Sequence, residues 1–71
     1  MLYKVFYWQG YGSEKFYVDY KEENVCFQAY SIEEAIKLGQ DFCRTHSLYG
    51  HFTTEKWIHS QDWGAEEVKI K

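Results

Sequence analysis

Proline is absent from this sequence, and only one of its eight basic residues is an arginine. Proline-rich and low-complexity stretches mark linkers and disordered chains, so their absence favours a folded domain. Phosphate-binding surfaces need clustered lysine and arginine, so a formal net charge of −3 disfavours direct nucleic-acid binding. No apolar run is long enough to cross a bilayer and no secretory signal is recognisable, so we expect a cytoplasmic protein without membrane attachment.

Cysteine is also scarce, with Cys26 and Cys43 as its two positions. They fall on different predicted elements, and no CxxC or HxxxH spacing links them to His46, His51 or His59, so we expect no disulfide, no metal and no cofactor. Cys43 and His46 could approach as a nucleophile and a base on one helix. A buried thiol without a cationic neighbour is inert, however, so we expect no enzymatic activity.

Aromatic residues are abundant, because Phe, Tyr and Trp make up 21% of the 71 residues. A chain of this length forms one domain, residues 1–71, and buries only about 60% of the surface that it exposes when unfolded. Each aromatic side chain can bury about 150–250 Å² of accessible surface. One small core therefore cannot hide all of the rings.

A helix is predicted from Ser31 to His46. Ser31 and Glu34 have the spacing of a capping box, in which each side chain satisfies a free backbone N–H at the start of the helix. Gly39 lies on the apolar stripe, which indicates close approach to a flat neighbour such as a sheet. The stripe recurs at helical spacing and consists of Ile32, Ala35, Ile36, Gly39, Phe42 and Cys43.

Strands are predicted before this helix at Leu2–Gln9, Glu14–Tyr20 and Val25–Tyr30. The first two form a hairpin with Tyr7 opposite Phe16, Phe6 opposite Tyr17, Lys4 opposite Asp19 and Tyr3 opposite Tyr20. A second turn at Lys21–Asn24 places Tyr20 opposite Val25. Both registers give the same apolar face, which consists of Tyr3, Val5, Tyr7, Phe16, Val18, Tyr20, Val25, Phe27 and Ala29.

After the helix, Phe52–His59 is predicted as a fourth strand, Ser60–Ala65 as a turn and Val68–Lys71 as a fifth strand. The preferred register sets Ile58 opposite Val68. The predicted fold is therefore α+β, a single antiparallel β-sheet in the order β, β, β, α, β, β with one helix packed on one face.

The second side of this sheet carries aromatic side chains that the helix does not cover. Exposed aromatic patches mark interfaces, and Tyr and Trp are enriched at binding hot spots. The alternatives are that the last strand and Trp63 fold back over the patch, or that it is a homodimer seam. The segment from Asp19 to Asp41 contains six carboxylates and only two lysines, so acidic residues are predicted to border the patch. The predicted partner-binding residues are Phe6, Trp8, Tyr17, Asp19, Glu22, Glu23, Tyr30 and Trp57.

The junction between the third strand and the helix, residues 27–36, reads Phe-Gln-Ala-Tyr-Ser-Ile-Glu-Glu-Ala-Ile. It resembles the strand-to-helix junction of several small phage-encoded inhibitors of the anti-CRISPR type. The resemblance implies a stand-alone, non-enzymatic binder that blocks a host defence protein in the host cytoplasm. It assigns no functional residue.

Three functional hypotheses follow. The first is an inhibitor that binds a basic, nucleic-acid-handling protein through the acidic segment and the aromatic patch. The second is a single-stranded nucleic-acid module in which Phe6, Tyr17 and Tyr30 stack on bases. The third is a structural or oligomerisation protein whose aromatic face is a seam between copies. Stacking modules normally add a basic groove, for which only Lys4, Lys15 and Lys56 are candidates, so charge favours the inhibitor.

Overall fold

In the computed structural model, which describes residues 1–8, 14–46 and 55–69, the sheet is built around strand β1 at Leu2–Trp8. The chain is α+β, with antiparallel strands and one main helix, as predicted. The other elements, in chain order, are β2 (Lys15–Tyr17), β3 (Asp19–Tyr20), β4 (Glu23–Asn24), β5 (Cys26–Gln28), α1 (Ile32–His46), α2 (Glu55–His59) and β6 (Asp62–Glu67).

β1 has neighbours on both sides. On one side it pairs with β6 along six consecutive residues. On the other side, β2 pairs with the C-terminal half of β1 and β5 pairs with its N-terminal half. β3 and β4 form a separate two-stranded sheet between β2 and β5. The described sheets are therefore a four-stranded antiparallel sheet and a short hairpin.

The register predicted for the first hairpin is confirmed where β2 lies along β1. The paired residues are Phe6 with Tyr17, Tyr7 with Phe16, and Trp8 with Lys15.

Beyond Val18 the predicted register is wrong. The Val18 N–H still donates to the Val5 carbonyl at 2.8 Å, but Lys4 then pairs with Cys26 and Tyr3 with Phe27. Asp19 and Tyr20 therefore do not lie opposite Lys4 and Tyr3 as expected. The reason is that one edge of a strand holds one neighbour at a time, and β5 occupies the N-terminal half of that edge.

The second hairpin is tighter than predicted. Tyr20 pairs with Glu23, and Lys21 and Glu22 form a two-residue turn with φ of 53° and 68°. The expected pairing of Tyr20 with Val25 is wrong by two residues. Because side chains alternate with a period of two, an even shift leaves each side chain on its predicted face.

The capping box at the start of α1 is confirmed. The Glu34 N–H donates to Ser31 Oγ at 3.1 Å, and the Tyr30 N–H donates to a Glu34 carboxylate oxygen at 3.1 Å. The first bond satisfies a backbone donor that the helix itself leaves free, and the second ties the residue before the N-cap to the first turn. α1 therefore begins where the sequence predicts it.

The core lies between α1 and one face of the sheet. Of the predicted apolar positions, Phe16, Val25 and Phe27 are half-buried, whereas Tyr20 is 41% and Ile32 51% exposed. Ile32 is the first residue of α1, and the buried face of the helix begins one turn later at Ala35. The buried apolar residues are Tyr3, Val5, Tyr7, Val18, Ala29, Ala35, Cys43 and Ile58.

The predicted fourth strand at Phe52–His59 is wrong, because residues 55–59 form α2, while 52–54 lie outside the described residues. Arg44 holds α2 against α1: its guanidinium donates to both carboxylate oxygens of Glu55 and, at 2.5 Å, to Asp41. This contact lowers the pKa of the Glu55 carboxyl. α2 and α1 are thus joined by the single arginine of the chain.

Most of the predicted turn at Ser60–Ala65 is strand β6 instead. The expected pairing of Ile58 with Val68 is wrong, since the Val68 N–H donates to the Leu2 carbonyl at 2.7 Å. Glycine, alanine and carboxylates have low strand propensity, and pairing with β1 overrides it. Of the predicted fifth strand, residues 70–71 lie outside the described part of the chain.

We predict that Gly39→Ala destabilises the protein. A Cβ at Gly39 would lie 2.6 Å from Val5 Cγ1, and the Val5 side chain is fully buried, so it has no room to move. The helix-propensity gain of about 1 kcal/mol is smaller than the cost of overpacking, and a net loss of about 1–2 kcal/mol is expected from urea unfolding. Thr45→Ala, at an exposed position of α1, is the control and should not destabilise. A Gly39→Ala variant as stable as Thr45→Ala would contradict the close packing.

The Lys21–Glu22 turn generates a second prediction. Both residues have the left-handed backbone of the tight hairpin turn that asparagine and glycine prefer. Replacing them by Asn-Gly should therefore raise the free energy of unfolding by about 1 kcal/mol. The control, Lys21→Ala with Glu22→Ala, keeps residues with a Cβ and should give no such gain in thermal or urea unfolding. Equal stability of the two double variants would show that the turn carries no strain.

Candidate partner-binding surface

The face of the sheet opposite α1 is built by the even-numbered residues of β1. Tyr3, Val5 and Tyr7 are buried in the core, so alternation along the strand directs Phe6 and Trp8 to the other face. Cross-strand pairing adds residues of β2 and β6 to this face. We term this cluster the aromatic surface, and it consists of Lys4, Phe6, Trp8, Lys15, Tyr17 and Glu66.

Three rings form the centre of the aromatic surface. The Phe6 ring meets Tyr17 at 6.0 Å between centroids and 70°, and Trp8 at 6.5 Å and 88°. Both are edge-to-face contacts, the favourable arrangement for aromatic pairs. Phe6 also covers Gly64, where a Cβ would lie 2.5 Å from Phe6 Cζ. Gly64 therefore leaves the space in which the Phe6 ring lies against β6.

Two lysines lie over the faces of these rings. Lys15 Nζ is 4.7 Å from the Phe6 centroid and 5.2 Å from that of Tyr17, while Lys4 Nζ is 5.0 Å from Tyr17. Glu66 completes the cluster: a carboxylate oxygen accepts a hydrogen bond from the Tyr17 hydroxyl and lies 4.0 Å from Lys15 Nζ. The aromatic centre thus has a charged rim formed by the same chain.

These contacts shift the ionisation of the rim. The hydrogen bond from Tyr17 lowers the pKa of the Glu66 carboxyl; desolvation opposes this shift, and the charges of Lys15 and Lys4 add to it. The pKa of Lys15 is raised, first by its interaction with Tyr17 and then by the charge of Glu66. Both groups are therefore charged at neutral pH, and they hold the rim in place.

The structure brings Phe6, Trp8 and Tyr17 together, as predicted, but two other predicted residues lie elsewhere. Tyr30 is 93% exposed at the junction between β5 and α1. The Ala29 N–H donates to the Met1 carbonyl, so Tyr30 lies just beyond the end of β1 that is farther from Phe6. At about 3.3 Å per residue, the distance from Phe6 along the sheet is about 20 Å. Tyr30 is therefore separate from the aromatic surface.

Trp57 was predicted to lie on the face of the sheet that carries the aromatic surface, and this prediction is wrong. It is part of α2 and contacts Tyr7 at 5.3 Å and Trp63 at 6.2 Å between ring centroids. Tyr7 is buried on the core side of β1, so Trp57 and Trp63 close one end of the core. Trp63 therefore does not fold back over the aromatic surface.

The predicted acidic residues Asp19, Glu22 and Glu23 lie in the β3–β4 hairpin and are exposed. Tyr20 of this hairpin packs against Phe42 and His46 of α1, at 5.9 and 5.3 Å between centroids. The expected position of Asp19 opposite Lys4 is wrong, as β5 occupies that place. The acidic hairpin is thus a second surface, attached to the C-terminal end of α1.

The sequence did not indicate Glu66 as a member of the aromatic surface, nor Gly64 as the residue that Phe6 covers. Gly64 falls in the segment expected to be a turn, where glycine and aspartate are common, and Glu66 follows that segment directly, before the predicted fifth strand. The sequence does carry one signal of a strand here, the alternation of Trp63 and Ala65 with Asp62, Gly64 and Glu66.

The cysteines add no chemistry to this surface. Burial raises the pKa of the Cys43 thiol to about 11; the nearby charge of Asp19 adds to the shift and that of Arg44 opposes it. Cys43 is therefore protonated at neutral pH, whereas Cys26 is exposed on β5. Within residues 1–8, 14–46 and 55–69, no three His, Cys, Asp or Glu side chains are grouped to hold a metal ion.

Comparison with protein-family models, curated proteins and solved structures finds no match to this chain. Among the described residues, neither helix has the length and apolar character needed to cross a bilayer.

We predict that Tyr17→Phe raises the pKa of Glu66 towards its ordinary value of 4.5, because the variant loses the hydrogen bond that favours the carboxylate. A folded-state pKa below the unfolded value stabilises the protein above about pH 4.5, and this contribution is lost as the pH falls through the folded value. In the variant this contribution should be smaller, and its loss should be complete at a higher pH. Carboxyl ¹³C NMR titration measures the shift, and Tyr30→Phe is the control. An unchanged Glu66 titration would contradict the contact.

Proposed function

We propose that this chain is a small non-enzymatic protein-binding module and that the aromatic surface is its principal contact. The observation that carries the proposal is a centre of three half-buried rings with a charged rim, on the face of the sheet opposite α1 and α2. Protein interfaces share this anatomy, with aromatic residues at the centre and polar groups around them. Trp8 and Tyr17 belong to the residue types most enriched at binding hot spots.

The geometry favours a protein partner over single-stranded nucleic acid. Base stacking needs free ring faces, but Lys15 lies over Phe6 and Lys4 over Tyr17. Glu66 offsets part of their charge, and the chain has a net charge of −3. A partner that packs against ring edges and pairs with the rim fits this arrangement better than a polyanion.

The proposed partner is a basic protein that handles nucleic acid, and binding blocks it. The acidic hairpin supports this choice, because Asp19, Glu22 and Glu23 are exposed at a second surface. Carboxylates can occupy sites meant for phosphate, since arginine binds both anions through paired hydrogen bonds. The finer proposal, a phage-encoded inhibitor of a host defence protein acting in the cytoplasm, rests on the resemblance of residues 27–36.

The test compares variants of the two surfaces on immobilised protein. Trp8→Ala and Tyr17→Ala should each lose a captured basic protein that wild type retains, while Tyr30→Ala, distant from the aromatic surface, should retain it. With that partner purified, Trp8→Ala should dissociate about 10- to 100-fold faster. The double variant Glu22→Lys, Glu23→Lys should associate more slowly and with weaker salt dependence.

Thermal unfolding of each variant provides the fold control. Two results would contradict the proposal: partner binding that is unchanged in both sets of variants, or retention of single-stranded DNA by wild type at physiological salt. The second result would favour the stacking module.

A further inference from the structure

β6 forms an edge of the four-stranded sheet. Among the residues that the structure describes, it pairs with β1 alone, through six uninterrupted pairs from Tyr3–Glu67 to Trp8–Asp62. Natural edge strands are usually protected by proline, by a bulge or by charged side chains, lysine above all. β6 contains neither proline nor lysine, and its register has no bulge.

The hydrogen-bond pattern shows which backbone groups point away from β1. The Val68 N–H donates to the Leu2 carbonyl, and bonded positions alternate along an antiparallel pair. Glu66 and Gly64 therefore direct their N–H and C=O groups towards β1. The alternate residues Trp63, Ala65 and Glu67 direct their N–H and C=O groups to the open side of the strand.

The other edge of β1 supports this assignment. Val5 uses its carbonyl to accept a bond from Val18, on the side away from β6. Val5 lies opposite Ala65, so this pair has no hydrogen bonds between its own members. The same alternation therefore holds on both strands.

We propose that the open edge of β6 binds an extended, basic segment of a partner protein, which adds to the sheet as a further strand. Backbone groups of Trp63, Ala65 and Glu67 would bond to it, as in other cases of strand addition. The charge of the edge selects the partner, since β6 carries three carboxylates and no basic residue. This inference goes beyond the proposed function, because it does not use the rings of the aromatic surface.

The spacing of the charges defines the segment. Asp62 and Glu66 are four residues apart on the outer face, with Gly64 between them. An added strand therefore places one side chain beside Asp62 and another, four residues away, beside Glu66, whose carboxylate also accepts the hydrogen bond from Tyr17. The segment that fits has lysine or arginine at both positions and an uncharged residue midway.

A second copy of this chain fits the edge less well. An antiparallel copy paired about Gly64 places Asp62 opposite Glu66 at both ends of the joint strand. Like charges directly opposite each other destabilise a strand pair. That register therefore disfavours self-pairing, whereas the three carboxylates of β6 favour a basic strand.

The experiment uses the full chain labelled with ¹⁵N and the capped peptide Thr-Lys-Thr-Val-Thr-Lys-Thr. In the free protein, amides of Ala65 and Glu67 should exchange with solvent faster than those of Gly64 and Glu66. The peptide at ten times its Kd should slow exchange at Ala65 and Glu67 about tenfold. The matched peptide with glutamate in place of both lysines should leave their exchange unchanged.

Two variants test the mechanism. Ala65→Pro removes an outward N–H at an edge where proline is tolerated, and it should abolish the protection of Glu67. Asp62→Lys keeps every backbone group, and it should weaken binding of the lysine peptide about two- to fivefold. If Ala65→Pro does not fold, Asp62→Lys and the two peptides still decide the question.

Trp8→Ala separates this proposal from the proposed function, because it should lose the protein partner and keep the peptide-induced protection. Three outcomes would overturn the strand-addition proposal. These are equal binding of the two peptides, peptide effects confined to the aromatic surface, and protection that rises with protein concentration in the absence of peptide. The last outcome would assign the edge to a second copy.

Discussion

The contact between Gly39 and Val5 sets the distance between α1 and the sheet. The helix lies so close to β1 that no Cβ fits at Gly39, and Val5 is fully buried beneath it. This closeness buries the small residues Ala35 and Cys43 as well. It also fixes which face of β1 is the core. The opposite face, with Phe6 and Trp8, is therefore left for other contacts.

A structural feature could be predicted from the sequence when the interactions that cause it join residues close in the chain. The start of α1 needs only Ser31 and Glu34, and the register of the first hairpin follows from the alternation of residues close in the chain. The error at Tyr20 and Val25 was harmless to the core, because a shift of two residues keeps each side chain on its face. Local patterns were sufficient for the core face of β1 and for the ring cluster of Phe6, Trp8 and Tyr17.

The rest depends on distant contacts. β6 has the composition of a turn and is a strand because β1 offers it an edge. Trp57 has strand-like neighbours in sequence, yet it lies in a helix that Arg44 holds through Glu55. Glu66 joins the site for the same reason, since it meets Tyr17 across 49 residues of chain. Such contacts leave no local pattern.

The position of β1 at the centre of the sheet has a consequence for the route of folding. β1 and β6 are far apart in the chain, since Tyr3 pairs with Glu67. The chain between the two strands must therefore close into a long loop before they pair. Contacts of high sequence separation slow folding, because the entropy of loop closure is lost before the contact is gained. Until β6 docks, one side of β1 has unpaired backbone groups beside valine and aromatic side chains. In a nascent chain, β1 therefore depends on the much later strand β6 for protection from aggregation.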